Sequence, residues 1–241
     1  MQFKLAVDDC FFLTPTQIGN IDLKQLLGNL KPMQKRRLSY FAKLAMGSLL
    51  QLEDDASKSL SSQYGSNCEL VFASRHGDFH KTSELLGSLA GKEELSPTAF
   101  SLSVHNAVSG LYSIFKNKKI PITAISAGKD TFLSALTESY IRIHSKRIDK
   151  IILIYVDQAL PDHYQRFSDE DLQAHTVALV LSACNESSKG PLNLEFENVL
   201  DVATNVESNA CHSLRFSEWI TSTESQLTLS SERMSWVVKK L

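Results

Sequence analysis

Apolar residues recur along this chain in two alternating rhythms. Short unbroken apolar runs read as strands: Phe3 to Val7, Glu69 to Ser74 (ELVFAS), Ile120 to Ser126 (IPITAIS), Ile151 to Val156 (IILIYV), Thr176 to Ala183 (TVALVLSA) and Leu192 to Phe196 (LNLEF). Between them the spacing changes to three and four. Leu38, Phe41, Ala42, Ala45, Leu49 and Leu52 predict a helix from Met33 onward, with Pro32 at its start. Val104, Ala107, Val108, Leu111 and Phe115 predict a second helix, buried on most sides, whose other face (Asn106, Ser109, Gly110, Ser113) is small. Phe132, Ala135, Leu136, Tyr140 and Ile143 predict a third. IILIYV carries no polar residue and predicts a strand covered on both faces. Beyond Val199 the pattern weakens: Phe216 to Thr221 reads as a helical turn or two, and Leu227 to Val238 fits strand or helix. Strands alternating with helices predict an α/β layered fold in a single domain over residues 1–241.

Turn chemistry punctuates these elements. Ser57 to Asn67 and Asn185 to Gly190 read as loops, Thr14 to Pro32 as a surface excursion, and Arg75-His76-Gly77-Asp78 as a turn before a short helix over Thr82 to Leu89. Gly128 suits a tight turn after the third strand, and Asp130 is placed to cap the helix that follows. Pro121 confines the start of that strand to an edge or entry position. Lys35, Arg36 and Arg37 crowd what reads as the first turn of a helix, against its dipole; they form a solvated basic patch or a docking point for an acidic partner such as an acyl carrier protein.

Composition narrows the function classes. The 241 residues are 43% hydrophobic, with a net charge of −2, which argues against a nucleic-acid binder. No apolar run approaches a membrane span and no leader precedes the first strand, so a cytoplasmic protein is expected. The four cysteines (Cys10, Cys68, Cys184, Cys211) are far apart, without metal-ligand or disulfide spacing. His76 and His80 stand four apart, but Gly77 between them favours a turn over a helical metal site, and neither a metal nor another cofactor is expected.

VFASRHGD, SPTAFSLSVHNAVSGLYSI and ITAISAGKDTF, in this order from Val71 to Phe132, resemble the β-ketoacyl synthase-like proteins of the thiolase fold. Within that family the sequence is most similar to the short chain-length factors of aryl-polyene-type pathways. The resemblance implies a thiolase-like layered fold, shortened in its C-terminal half. In active condensing enzymes the strand matching Ile120 to Ser126 leads into a turn that presents a cysteine, and here Lys129 stands at or next to that position. A lysine cannot hold an acyl chain as a thioester. The late histidines His163, His175 and His212 lie outside the Gly-containing turns that carry the family's decarboxylating residues. The resemblance therefore implies a non-catalytic subunit that pairs with an active ketosynthase. Ile120, Ile122, Thr123, Ala124, Ile125 and Ser126 would form the interface strand. Phe100, Val104, Val108, Leu111 and Tyr112 would line or gate the acyl tunnel, with plain core packing as the competing reading. Two alternatives stay open: a stand-alone acyl-transfer enzyme using Ser126 or Lys129, and a scaffold that stabilises its ketosynthase without shaping the tunnel.

Overall fold

The computed structural model describes residues 1–28, 30–52, 67–146, 148–184, 192–199, 210–231 and 233–241. The predicted loop at Asn185–Gly190, and that at Ser57–Asn67 apart from Asn67, lie outside the described residues. An eight-stranded sheet runs through the chain: β1 Gln2–Leu13, β2 Cys68–Ala73, β3 Ile122–Ile125, β4 Lys150–Asp157, β5 His175–Ala183, β6 Leu192–Val199, β7 Gln226–Ser230 and β8 Ser235–Lys240. Their spatial order is β3-β2-β4-β5-β1-β6-β8-β7. Strands β3, β2 and β4 are parallel, and every other pairing is antiparallel.

The unbroken apolar runs are the central strands, because both faces of the sheet are covered. Along β4, Ile151, Leu153 and Tyr155 belong to one core, while Ile152, Ile154 and Val156 belong to the other. Nine α-helices lie between the strands among the described residues: α1 Pro15–Ile18, α2 Leu23–Leu26, α3 Pro32–Arg36, α4 Tyr40–Gln51, α5 Phe79–Ala90, α6 Pro97–Ser103, α7 Ala107–Phe115, α8 Thr131–Lys146 and α9 His212–Thr221. Residues of α2, α4 and α7 fill one core. Those of α8 and α9 fill the other, where Phe132 packs on Phe216 with ring centroids 5.0 Å apart. Arg142 of α8 ties that helix to the sheet through the largely buried Glu69, its Nη1 lying 2.6 Å from Oε2.

Several boundaries differ from expectation, each for a local reason. Strand β1 continues through Asp8 and Asp9 to Leu13, past an irregularity in its pairing with β5 between Val7 and Asp9. Asp8 is accommodated by Lys150 Nζ at 2.7 Å. The surface excursion over Thr14 to Pro32 folds into α1 and α2, the first entered through a capping box at Thr14 and the second through the Asp22 carboxylate. The helix expected from Met33 is two helices, because the Ser39 side chain caps a new start at Tyr40. Lys35, Arg36 and Arg37 therefore close α3 rather than open a helix, the end at which the dipole favours cations. The expected single helix through Val104 is also two: Val104 is extended (ψ 146°), and α7 begins after Asn106. The small face does not bring a backbone close at Gly110, where a Cβ would meet nothing within 4 Å. Leu227 to Val238 is the β7–β8 hairpin.

Gly47 lies inside α4, and a Cβ there would stand 2.4 Å from Leu26 Cγ and Cδ2. Gly47→Ala should therefore destabilise the chain by about 1–3 kcal/mol through overpacking, outweighing the ~0.5–1 kcal/mol gained in helix propensity. Urea denaturation of the two proteins measures the difference; an unchanged or raised midpoint would show that Leu26 yields freely.

Candidate functional site

The carboxyl ends of β2, β3 and β4 meet at one end of the sheet, where parallel α/β sheets place their sites. Antiparallel β5 begins at the same end with His175, and the bridge between Asp171 and Ala210 brings the start of α9 there. Asp157, the last residue of β4, is fully buried and receives hydrogen bonds from the turn after β2 and from its own strand. Ser74 Oγ donates to it at 3.0 Å, Arg75 N at 2.8 Å and Tyr155 Oη at 2.7 Å, with His76 N at 3.4 Å. Ser74 Oγ also accepts from Gly77 N at 2.7 Å, and Gly77 has φ +64°. These bonds set the Arg75–Asp78 turn, from which the Asp78 carboxylate caps α5.

The turn after β3 is tied to the one after β2. Ser126 Oγ donates to the Arg75 carbonyl at 2.8 Å. Gly128 has φ +62°, and Thr131 Oγ1 accepts from Ala127 N while donating to the Gly128 carbonyl. Thr131 thus makes the side-chain bonds at the start of α8, and buried Asp130 has its Oδ1 unpartnered, so its expected capping role is not observed. Above the turn, Arg75 pairs with Asp169 (Nη2 to Oδ1, 2.8 Å) and with the buried carboxylate of Glu170. Lys129 Nζ stands 3.7 Å from Asp169. Burial opposes the charge on Arg75, yet the two carboxylates still raise its guanidinium above the ordinary value; Arg75 in turn holds Asp169 below the usual carboxylate range despite burial. Burial pushes the His76 imidazole down against the pull of Asp157. The cleft left between Arg75, the Ala127–Asp130 turn, Asp169, Ser231 and Arg233 measures about 150 Å³. Pockets that hold small-molecule ligands start at roughly 300 Å³.

Beneath these ion pairs lies a cluster that the sequence did not reveal. Cys211 stands at the N-cap of α9, its Sγ 3.0 Å from Ser213 Oγ, 3.6 Å from Tyr155 Oη and 3.7 Å from His175 Nε2. His175 Nε2 is 2.7 Å from Ser213 Oγ, and its Nδ1 lies 2.7 Å from the Gln173 carbonyl, which can only accept. Burial disfavours both charges, yet the His175–Cys211 contact pulls the thiol below its ordinary range and raises the imidazole. Burial, with Asp157 and Cys211 nearby, lifts the Tyr155 phenol well above its usual value. Cys68, by contrast, sits in the core of β2, and burial pushes its thiol up to about 12.

The expected site residues divide into groups. Phe100 and Val104 are 59% and 43% exposed, whereas Val108, Leu111 and Tyr112 are buried in the core beside α4. They do not form one stripe, because the break at Val104 turns α6 away from α7. Ile122, Thr123, Ala124 and Ile125 form β3, the edge of the sheet; Ile120 precedes it and Ser126 follows it. Lys35 Nζ donates to the Gly28 carbonyl at 3.0 Å, while Arg36 and Arg37 are exposed. His80 Nε2 is 2.9 Å from the Ala159 carbonyl, His163 is exposed, and buried His212 meets the Ser230 carbonyl. No group of three or more His, Cys, Asp or Glu suited to a metal occurs among the described residues. None of the described helices is long and apolar enough to cross a membrane.

Residues 15–238 match the family described as β-ketoacyl synthase, N-terminal domain, and the chain belongs to that family. Among solved structures, a chain of the ketosynthase ApeO in complex with its chain length factor ApeC, from Xenorhabdus doucetiae, superposes with TM-score 0.79 at 23% identity, covering 98% of this chain and 99% of that one. A chain of the ishigamide ketosynthase/chain length factor gives 0.62 at 14% identity, covering 83% and 68%. A β-ketoacyl synthase from Burkholderia phymatum STM815 gives 0.59 at 10%, covering 83% and 65%. No curated protein sequence matches. The fold is the thiolase-like α/β fold of the ketosynthases, in a short chain.

Removing Arg75 would leave Glu170 buried without its partner, whereas Asp169 is half exposed. Arg75→Gln should cost about 3–5 kcal/mol and Asp169→Asn at most ~1 kcal/mol, as read by urea denaturation. Because Arg75 lowers the Asp169 carboxyl, that pair stabilises fully above about pH 4 and fades as the pH falls further, a loss Asp169→Asn should remove. Asp157→Asn offers one acceptor oxygen where two receive donors and should cost about 2–3 kcal/mol. Equal, small effects for Arg75→Gln and Asp169→Asn would contradict this account.

Proposed function

We propose that this chain is a non-catalytic chain-length factor that pairs with an active β-ketoacyl synthase and limits the length of the polyene or fatty-acyl chain made by the pair. The observation that carries this reading is the turn after β3. At or next to the position matching the family's nucleophile stands Lys129, ion-paired to Asp169 in a cleft too small for an acyl chain. Ser126, the other nucleophile candidate, has its hydroxyl donated to the Arg75 carbonyl rather than to a base.

Two features support a partner. Among the described residues, strand β3 is hydrogen-bonded on one side only, an edge that proteins rarely leave bare. On the crossover between β2 and β3, Leu86, Leu89, Leu95, Phe100, Val104 and Ile114 are exposed, and α5 and α6 bury no residue at all. Such a patch is ordinarily covered by another protein. The ketosynthase is the occupant we assign: the ApeO and ishigamide structures contain a ketosynthase together with a chain length factor. Exposed Phe100 and Val104 are then the residues able to reach the acyl tunnel, while Val108, Leu111 and Tyr112 support them from the core. Blocking suits a ruler better than affinity, since one buried methylene is worth only ~0.8 kcal/mol. Arg36 and Arg37 are available to an acyl carrier protein; Lys35 holds its own loop.

Co-expression with an active β-ketoacyl synthase of the kind paired with chain length factors should give a stable one-to-one complex by light scattering, weakened by Ala124→Pro or Ala124→Lys on the β3 edge. Within that complex Phe100→Ala should lengthen the product and Phe100→Trp shorten it, read by mass spectrometry of the released chains. Leu111→Ala should act first on stability, by about 2–4 kcal/mol. Formation of the complex with product lengths unchanged in both Phe100 variants would leave a scaffold role; no complex at all would remove the proposal.

A further inference from the structure

The Cys211 cluster has no part in the proposed chain-length role, and its chemistry is of another kind. A thiol gains nucleophilicity as thiolate, which a helix N-terminus and a facing imidazole both favour. Cys211 has both, at the N-cap of the ten-residue α9 and 3.7 Å from His175 Nε2. Because the Gln173 carbonyl fixes the Nδ1 hydrogen, Nε2 is the atom that takes or returns a proton on the side of Ser213 and Cys211. Tyr155 Oη donates to Asp157, so its oxygen can accept from the Cys211 thiol 3.6 Å away, and Ser213 Oγ adds a second hydroxyl. The titratable groups facing the sulfur are thus His175 and Tyr155, with Asp157 behind Tyr155 and the Glu170 carboxylate acting on the sulfur as well. Access is narrow. Cys211 is 3% exposed. Such a setting excludes an acyl chain and selects for a reagent of two or three atoms.

We propose that Cys211 is a peroxide-reactive thiol, a modification site activated by His175 and reached only by small oxidants. The thiolate sulfur attacks one oxygen of hydrogen peroxide; the S–O bond forms as the O–O bond breaks. The departing hydroxide takes the proton held on His175 and leaves as water. Sulfur is oxidised to the sulfenic acid and peroxide is reduced, with no further reactant. The added oxygen then sits beside Ser213 at the start of α9, where Phe216 and Trp219 pack on the sheet.

The test uses the full chain, alone and in complex with its ketosynthase, exposed to hydrogen peroxide, quenched with catalase and mapped by peptide mass for added oxygen at each cysteine. Cys10 is the internal comparison: it is exposed but has no imidazole beside it among the contacts of its strand, and burial together with Asp9 raises its thiol. Cys211 should oxidise before Cys10, and His175→Gln should slow Cys211 about tenfold or more while leaving Cys10 unchanged. Oxidation of Cys10 first, no oxidation of Cys211, or an unchanged Cys211 rate in His175→Gln would each overturn the proposal. If His175→Gln does not fold, the order within the wild-type chain still decides. None of these readouts depends on product length, so failure here and failure of the chain-length role are distinguishable.

Discussion

A single buried carboxylate organises this fold's working end. Asp157 terminates β4, a central strand buried from Ile151 onward, where an unpaired charge would be severely destabilising. It is tolerated because donors from β2's turn and from Tyr155 converge on its two oxygens. The consequence runs outward. Fixing the backbone of Arg75 fixes where the guanidinium emerges, and fixing the Arg75 carbonyl gives Ser126 its acceptor. Two turns separated by fifty residues are thus held in register by one side chain on a third strand.

The ion pairs above that carboxylate take their geometry from it. Arg75 reaches Asp169 and Glu170 because its backbone is pinned, and Lys129 reaches Asp169 because the Gly128 turn is pinned through Ser126. The result is a charged closure over the turn that carries a cysteine in the condensing enzymes the sequence resembles. Under the proposed role this arrangement has a physical sense. A subunit that must not compete for the acyl chain has its nucleophile position occupied by a cation and the space around it filled by that cation's partners. The price is the desolvation of Glu170, compensated only while Arg75 stays in place.

Much of the architecture was legible because burial on two faces writes itself as unbroken apolar runs. IILIYV and TVALVLSA lie in the middle of the sheet, and IPITAIS at its edge, where Pro121 suggested it would be. The helix breaks were less legible. Val104 continues the apolar spacing of Ala107 and Val108, and only its extended backbone, after Ser103 has turned its hydroxyl back to Phe100, separates α6 from α7. Spacing alone also could not show that Ser39 outranks the continuity of Leu38 with Phe41 and so moves three basic residues from a helix start to a helix end. The β7–β8 hairpin was ambiguous because two short strands with alternate residues buried leave little pattern to read.

Least legible was the meeting of His175 with Cys211. Thirty-six residues separate them, and no local motif marks either. Their contact follows from topology: β5 is antiparallel to β4, so its first residue arrives at the end where the parallel strands finish, and α9 starts there too. The same topology explains why the two buried cysteines differ. Cys68 begins a parallel strand at the opposite end, among apolar neighbours that raise its thiol; Cys211 is delivered to the end where polar turns, an imidazole and a helix N-terminus collect. In a parallel α/β sheet the carboxyl ends gather helix starts and polar turns whether or not the family's reaction survives there. Under the proposed role, a chain without the family's nucleophile still holds, at that end, the surroundings that make a thiol reactive.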